Sequence, residues 1–252
     1  MPKLQKIVSF LDKYLEINSI KDSCWNGLQY EGKEDITRIA YAVDAGIETF
    51  LKAVSLKCDM VVVHHGHFWT NLNPGYTGWS KKRLDILHDN NISLYACHLP
   101  LDRHKVVGNN VQIIKLLGGK IEKEFLFQSG KNIGWTGRLK KAKTAHEISE
   151  ILEKELNSCP NVLSFGPKKI NTVAVCSGGG GYGGFYDALS MGVDLYITGD
   201  AIEIYYTAKD AGMNVIFAGH HATETIGLAA LQKVVDKQMK TNSVFIDLPT
   251  GL

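Results

Sequence analysis

Along the chain, short runs of consecutive apolar residues alternate with stretches in which apolar residues recur every three or four positions, predicting strands and helices in turn. Met60-Val-Val-Val63, Ile92-Ser-Leu-Tyr-Ala-Cys97 and Val215-Ile-Phe-Ala218 are short, rich in β-branched and aromatic residues, and bounded by Asn, Gly or Asp. They read as buried strands. Leu4, Ile7, Val8, Leu11 and Leu15 instead share one face of a helix near the start of the chain. Thr144 with Glu147 forms a capping box that opens a helix over 144–156.

The second half repeats the first in outline. Residues 36–43 resemble 170–176, 58–63 resemble 193–198, and 91–96 resemble 213–218, with helices expected over 47–56 and 185–191 between the first two strands of each set. Each half therefore offers strand, helix, strand, helix, strand, and the expected architecture is α/β: two similar lobes, residues 1–125 and 126–252, with a metal site in the cleft between them. The parallel reflects either an internal duplication or the common βαβ pattern.

With 252 residues, 44% of them hydrophobic, the chain can bury a substantial core. A net charge of +2 gives no strong bias toward nucleic acid, and no dense basic stripe interleaved with aromatics stands out. Lys3, Lys6, Asp12, Lys13 and Glu16 interrupt the first turns, so a signal peptide or membrane span is not expected there. Five cysteines, an odd number, include no C-x-x-C pair. A thiolate zinc knuckle is thus not expected, and the thiols read as free and reduced, which suits a cytoplasmic protein.

The chemistry sits just after the apolar runs: His64-His65, His98 with Asp102, and His220 with Glu224. In an open α/β sheet, ligands bind at the carboxyl ends of the strands. Imidazole and carboxylate donors suit borderline divalent ions such as Zn, Fe, Mn or Co. Adjacent side chains of a strand point to opposite faces, so His64 and His65 serve one site only if the backbone turns, as Gly66 permits. His220 and Glu224, four apart, share a face at the start of a helix expected over 223–239, a spacing that ordinary helix starts also show. Pro100 makes 98–102 a strand exit, with Asp102 the better ligand candidate and His98 suited to orienting it. The run Ser177-Gly-Gly-Gly-Gly-Tyr-Gly-Gly184 lacks the ending of a Walker loop; it is either a phosphate cradle or a close-packed turn. Asp200 and Glu203 follow a second-half strand, where they steer metal waters or substrate or are simply solvated.

The combination Trp25-Asn-Gly-Leu-Gln29, Val63-His-His-Gly66, Tyr95-Ala-Cys-His-Leu-Pro-Leu-Asp102, Asp194-Leu-Tyr-Ile-Thr-Gly-Asp200 and Ala218-Gly-His-His-Ala-Thr-Glu224 spans nearly the whole chain. It resembles the dinuclear metal-centre family of GTP cyclohydrolase 1 type 2 homologues, also called the Nif-three-like family, in its compact form without an inserted middle domain. The resemblance implies two divalent ions per chain on His64, His65, Asp102, His220 and Glu224, with His98 close by as a proton shuttle or supporting residue. It further implies ring-shaped homo-oligomers, expected to be homohexamers, and opening of the imidazole ring of GTP by water. Gly66 stands where relatives commonly carry proline, and His221 where they commonly carry an aromatic. The expected function is metal-dependent hydrolysis of a nucleotide or other phosphorylated small molecule. The alternative is a non-catalytic metal chaperone, store or regulatory scaffold.

Overall fold

The computed structural model describes all residues, Met1–Leu252. The chain forms two units. One comprises Met1–Leu101 and Leu228–Leu248, the other Asp102–Gly227 and Pro249–Leu252.

In the first unit, α1 (Leu4–Leu15) buries the five apolar residues that its spacing puts on one face, and it ends where Glu16 turns left-handed at φ 52°. Strands β2 (Arg38–Asp44), β3 (Met60–His65) and β4 (Ser93–Ala96) pair in parallel and are almost wholly buried. A parallel sheet is covered on both faces, which is why these segments read as continuous apolar runs. Helices α2 (Ile47–Ser55) and α3 (Gly78–Asp89) make the crossovers. Past β4 the chain forms the short helix α4 (Leu99–Asp102), where the sequence predicts a strand exit into a loop: Pro100 stands in the first turn, where a missing amide costs no helical hydrogen bond. β1 (Gly27–Tyr30) adds antiparallel to β4 at one edge. At the other edge lies β11 (Asn242–Phe245), parallel to β2, giving the order β1-β4-β3-β2-β11.

The second unit begins with α5 (Asn109–Leu116), whose Val111, Ile113 and Ile114 are buried in its core, and repeats the core arrangement with β8 (Ile170–Cys176), β9 (Leu195–Thr198) and β10 (Asn214–Phe217), again parallel and joined by α7 (Gly181–Ser190) and α8 (Tyr205–Ala211). Its sheet is widened by the hairpin of β5 (Gly119–Gln128) and β6 (Lys131–Lys143), turned at Ser129 and Gly130, both of positive φ. β7 (Asn161–Ser164) closes the opposite edge against β10. Helix α6 (Ala145–Leu156) starts with the expected capping box: Thr144 Oγ1 accepts from the Glu147 amide, and Glu147 Oε2 accepts from the Thr144 amide at 2.6 Å. Its buried Ile148 and Leu152 join the core built on β8 and β9.

Each unit thus contains the strand, helix, strand, helix, strand order read from the sequence. The division differs from a cut at 125/126. β11, near the end of the chain, pairs residue by residue with β2, Asn242 opposite Arg38 and Phe245 opposite Tyr41, and so returns to the first unit. Such a pairing between distant segments leaves no local signature, whereas the hydrophobic period does. Helix α9 (His220–Met239) follows β10 and contributes its beginning to the second unit and its remainder to the first. No helix is long and apolar enough to cross a membrane.

Candidate metal centre

Within the first unit, the strand ends gather three imidazoles. His64 and His65 close β3, and His98 follows β4 by two residues. A nitrogen from each lies within 4.8 Å of the others, a spacing at which all three can ligate one ion. The consecutive histidines converge although β3 runs through both, their ring centroids only 4.8 Å apart. Two neighbouring strand ends hold them. His64 Nδ1 lies 2.9 Å from the Cys97 carbonyl beyond β4, and His65 Nδ1 lies 2.8 Å from Asp44 Oδ1 at the end of β2. Gly66 then turns the chain in a space where a Cβ would stand 2.4 Å from Gln29 Nε2 and 2.7 Å from the Ala96 methyl.

His98 is held in the same manner, its Nδ1 2.9 and 3.1 Å from the two oxygens of Asp22. Asp22 also accepts from the amides of Cys24 and Leu99, at 3.0 Å each, and from Asn26 Nδ2 at 2.9 Å. Burial raises its carboxyl pKa, but the His98 hydrogen bond and charge, with Asn26 and the Cys24 amide, outweigh it and bring it down to about 2.

The second unit carries the other candidates. His220 and Glu224 stand on the first turn of α9, Nε2 3.2 Å from Oε1, on one face as their spacing requires. His220 Nδ1 lies 2.8 Å from Asp200 Oδ1, so Asp200 belongs to this group, whereas Glu203 is exposed. The hydrogen bond to Glu224 leads in raising the His220 pKa to about 9; burial opposes it, and the Glu224 charge and Asp200 add to it. Two carboxylates therefore stabilise positive charge here, whether that charge is a proton or a cation. Asp102 is buried, and its Oδ1 accepts from Asn109 Nδ2 at 2.8 Å and from Ser177 Oγ at 2.9 Å. Burial, with the charges of Asp102 and Glu224, pushes the Cys176 thiol far up.

The glycine run packs closely in this unit. At Gly178, where φ is +58°, a Cβ would stand 2.2 Å from Glu224 Oε1 and 3.0 Å from His220 Nε2. The Gly178 amide donates to Thr223 Oγ1, and the Gly180 amide donates to Thr198 Oγ1. These bonds commit two amides of the run within the fold, and Gly178 packs closely against the His220–Glu224 pair.

The donor set suits a divalent ion of the Zn, Fe, Mn or Co type. A carbonyl or carboxylate oxygen can only accept, so at His64, His65 and His98 the hydrogen-bonded Nδ1 carries the proton and Nε2 is the nitrogen suited to a metal. His220 faces a carboxylate with each nitrogen, Asp200 with Nδ1 and Glu224 with Nε2, so there a cation would take the place of the Nε2 proton. His67 differs, since its Nε2 is the nitrogen engaged, 3.1 Å from Ser80 Oγ. The five cysteines are free, and burial raises Cys24 to about 11, so nitrogen and carboxylate donors prevail over thiolate. The sequence singled out the histidines from their place after apolar runs. Asp22 and Asp44 it did not: Asp44 had the signal of ending a strand, while Asp22 reaches His98 from 76 residues away.

Two α/β units, each with histidines and carboxylates at or beyond the ends of its parallel strands, define an α/β class whose strand ends carry groups that could hold a metal ion. The chain belongs to the Duf34/NIF3 (NGG1p interacting factor 3) family, which matches residues 2–250. It is 42% identical over 251 residues to a GTP cyclohydrolase 1 type 2 homolog of Archaeoglobus fulgidus, covering 99% of each chain. It is 38% identical to one of Pseudomonas aeruginosa, covering 98% of this chain and 97% of the relative. Among solved structures, protein ybgI, described as of unknown function, superposes with a TM-score of 0.92 at 34% identity over 99% of this chain and 100% of the other. Reduced HcgD from Methanocaldococcus jannaschii superposes with a TM-score of 0.82 at 25% identity, over 98% of each.

Proposed function

We propose that the protein is a dinuclear metal-dependent hydrolase acting on a nucleotide or other phosphorylated small molecule. Its ligands are drawn from His64, His65, Asp102, His220 and Glu224, with His98 serving as a further imidazole donor or as the proton-handling residue. The observation that carries this reading is the tethering of three clustered imidazoles, His64, His65 and His98, through Nδ1 to an oxygen acceptor, which leaves Nε2 of each in the metal-binding form. When bound, two divalent ions supply Lewis acidity and lower the pKa of water near neutrality.

The protein's own contribution is orientation and charge. Asp44 and Asp22 hold His65 and His98 in one tautomer each, Asp200 and Glu224 bracket His220, and Ser177 and Asn109 fix the direction of the Asp102 carboxylate. The ring-opening of GTP suggested by the names of the relatives is one member of this reaction class. A cytoplasmic setting accords with five free thiols, and a hexameric ring is the assembly that the family resemblance suggests.

The test is the metal content of protein purified without added metal or chelator, compared with His64→Ala and His220→Ala at matched folding and oligomeric state. About two ions per chain in the parent and loss in both variants is expected. A screen of nucleotides, phosphodiesters and phosphomonoesters with Mn, Zn, Fe and Co follows. Metal uptake without turnover would mark a chaperone, store or scaffold. No specific uptake would overturn the metal reading altogether.

A further inference from the structure

Beside the three imidazoles, within the first unit, lies a pocket of about 450 Å³ whose walls include Trp25, Leu28, Phe68, Leu72 and Pro74. Trp25 is 62% exposed and Leu72 46% exposed, so a concave site leaves aromatic and aliphatic surface in water. The backbone holds this surface in place. The Trp25 amide donates to the Phe68 carbonyl at 3.0 Å, the Thr70 amide to the Ser23 carbonyl at 2.8 Å, and Gln29 Nε2 to the Trp25 carbonyl at 2.6 Å.

The amide side chains on the wall are committed elsewhere. Asn26 Nδ2 donates to Asp22 Oδ2 and to the Cys24 carbonyl, while its Oδ1 accepts from the His98 amide at 2.7 Å. Gln29 Oε1 accepts from the amides of His67 and Phe68. What the wall offers a visitor is therefore ring face and aliphatic surface, with the Thr70 hydroxyl, and little that reads hydrogen-bond patterns.

The same residues join the pocket to the imidazoles. Asn26 bonds both His98 and the Asp22 that orients it, and Trp69, next in sequence to Phe68, stands edge-on to the His98 ring with centroids 5.1 Å apart. The volume falls within the range of roughly 300–1,000 Å³ typical of small-molecule sites.

We propose that this pocket is a stacking subsite for a planar heterocycle, the base of a nucleoside or nucleotide, held by Trp25 and Phe68 through its π-face and with little discrimination between bases. The proposal rests on the reading that the adjoining imidazoles act on a nucleotide-like molecule, and it names the part of that molecule the first unit holds. Stacking tolerates any base because every base has a π-face, whereas discrimination needs unsatisfied donors and acceptors.

The experiment is calorimetric titration of the full-length protein, as purified, with guanosine, adenosine and ribose 5-phosphate. The parent is compared with Trp25→Ala, Trp25→Phe and the control Trp79→Ala, another exposed tryptophan outside the pocket. Trp25 makes its hydrogen bonds through the backbone, so its truncation leaves them in place. Guanosine and adenosine are expected to bind within about tenfold of each other. Both should weaken about 5- to 150-fold in Trp25→Ala, the range for loss of one base–aromatic stack, and less in Trp25→Phe. Trp79→Ala should match the parent, ribose 5-phosphate should be insensitive to Trp25, and metal content should be unchanged in Trp25→Ala.

No saturable nucleoside binding at millimolar concentration, or equal affinity in Trp25→Ala, would overturn the proposal. So would a change of oligomeric state in Trp25→Ala without nucleoside binding in the parent, since a second copy would then fill the pocket. Nucleoside binding in a protein that takes up no metal would sink the hydrolase reading and leave the stacking site standing.

Discussion

Replacing Asp22 with Asn changes one oxygen to an amide nitrogen and little else in shape. The Asp22 side chain is 2% exposed and takes hydrogen bonds on both oxygens: Oδ1 from the Cys24 amide and His98 Nδ1, Oδ2 from Asn26 Nδ2, the Leu99 amide and, at 3.1 Å, His98 Nδ1 again. Whichever way the new amide is turned, its NH₂ faces donors. In the Oδ2 position it opposes Asn26 and Leu99; in the Oδ1 position it opposes Cys24 and removes the shorter His98 bond. Each buried donor left without an acceptor costs roughly 1–3 kcal/mol, so two cost about 2–6 kcal/mol, with the lower half expected because the His98 and Asn26 side chains can turn. At roughly 2–4 °C per kcal/mol for a chain of this size, the midpoint of thermal unfolding should fall by at least about 4 °C. The measurement is thermal and urea unfolding at pH 7 of parent, Asp22→Asn, His98→Ala and the double variant. The double variant should be less destabilised than the sum of the single ones, because the two residues share a bond. An Asp22→Asn protein within about 0.5 kcal/mol of the parent, the range of an ordinary surface substitution, would refute the argument that this carboxylate organises the loop beneath the imidazoles.

Two further predictions use other parts of the structure. Gly178→Ala forces a methyl into the space of Glu224 Oε1 at a φ of +58°, so strain of roughly 1–2 kcal/mol adds to overpacking of about 1–3 kcal/mol, and metal content should fall with stability. Unchanged metal stoichiometry would show that the His220–Glu224 pair does not depend on that glycine. Asp59 is buried, and although burial acts to raise its pKa, the Lys33 ammonium at 2.5 Å and the amides of Thr37 and Arg38 hold it below 3.8. The unfolded chain then binds that proton more readily, so this support is fully present above about pH 4 and is lost as the pH falls through the lower folded value. Asp59→Asn should flatten the dependence of unfolding free energy on pH in that acid window, and an unchanged slope would contradict it.

The apolar patterning by itself determined the repeated strand–helix–strand core, because parallel strands buried on both faces must be continuous apolar runs, and the face of α1, because only a 3.6-residue period buries Leu4, Ile7, Val8, Leu11 and Leu15 together. The capping box at Thr144 and the common face of His220 and Glu224 were also local, fixed by helix geometry over one turn. Tertiary structure decided the rest. It returned β11 to β2 across the length of the chain, and it brought Asp22 beneath His98 and Asp44 against His65. It also turned two consecutive histidines of one strand toward the same imidazole cluster. The physical reason is that a helix turn or a strand period is written in neighbouring residues, whereas the partner of a hydrogen bond 76 positions away is chosen only when the sheet has formed and placed both strand ends together.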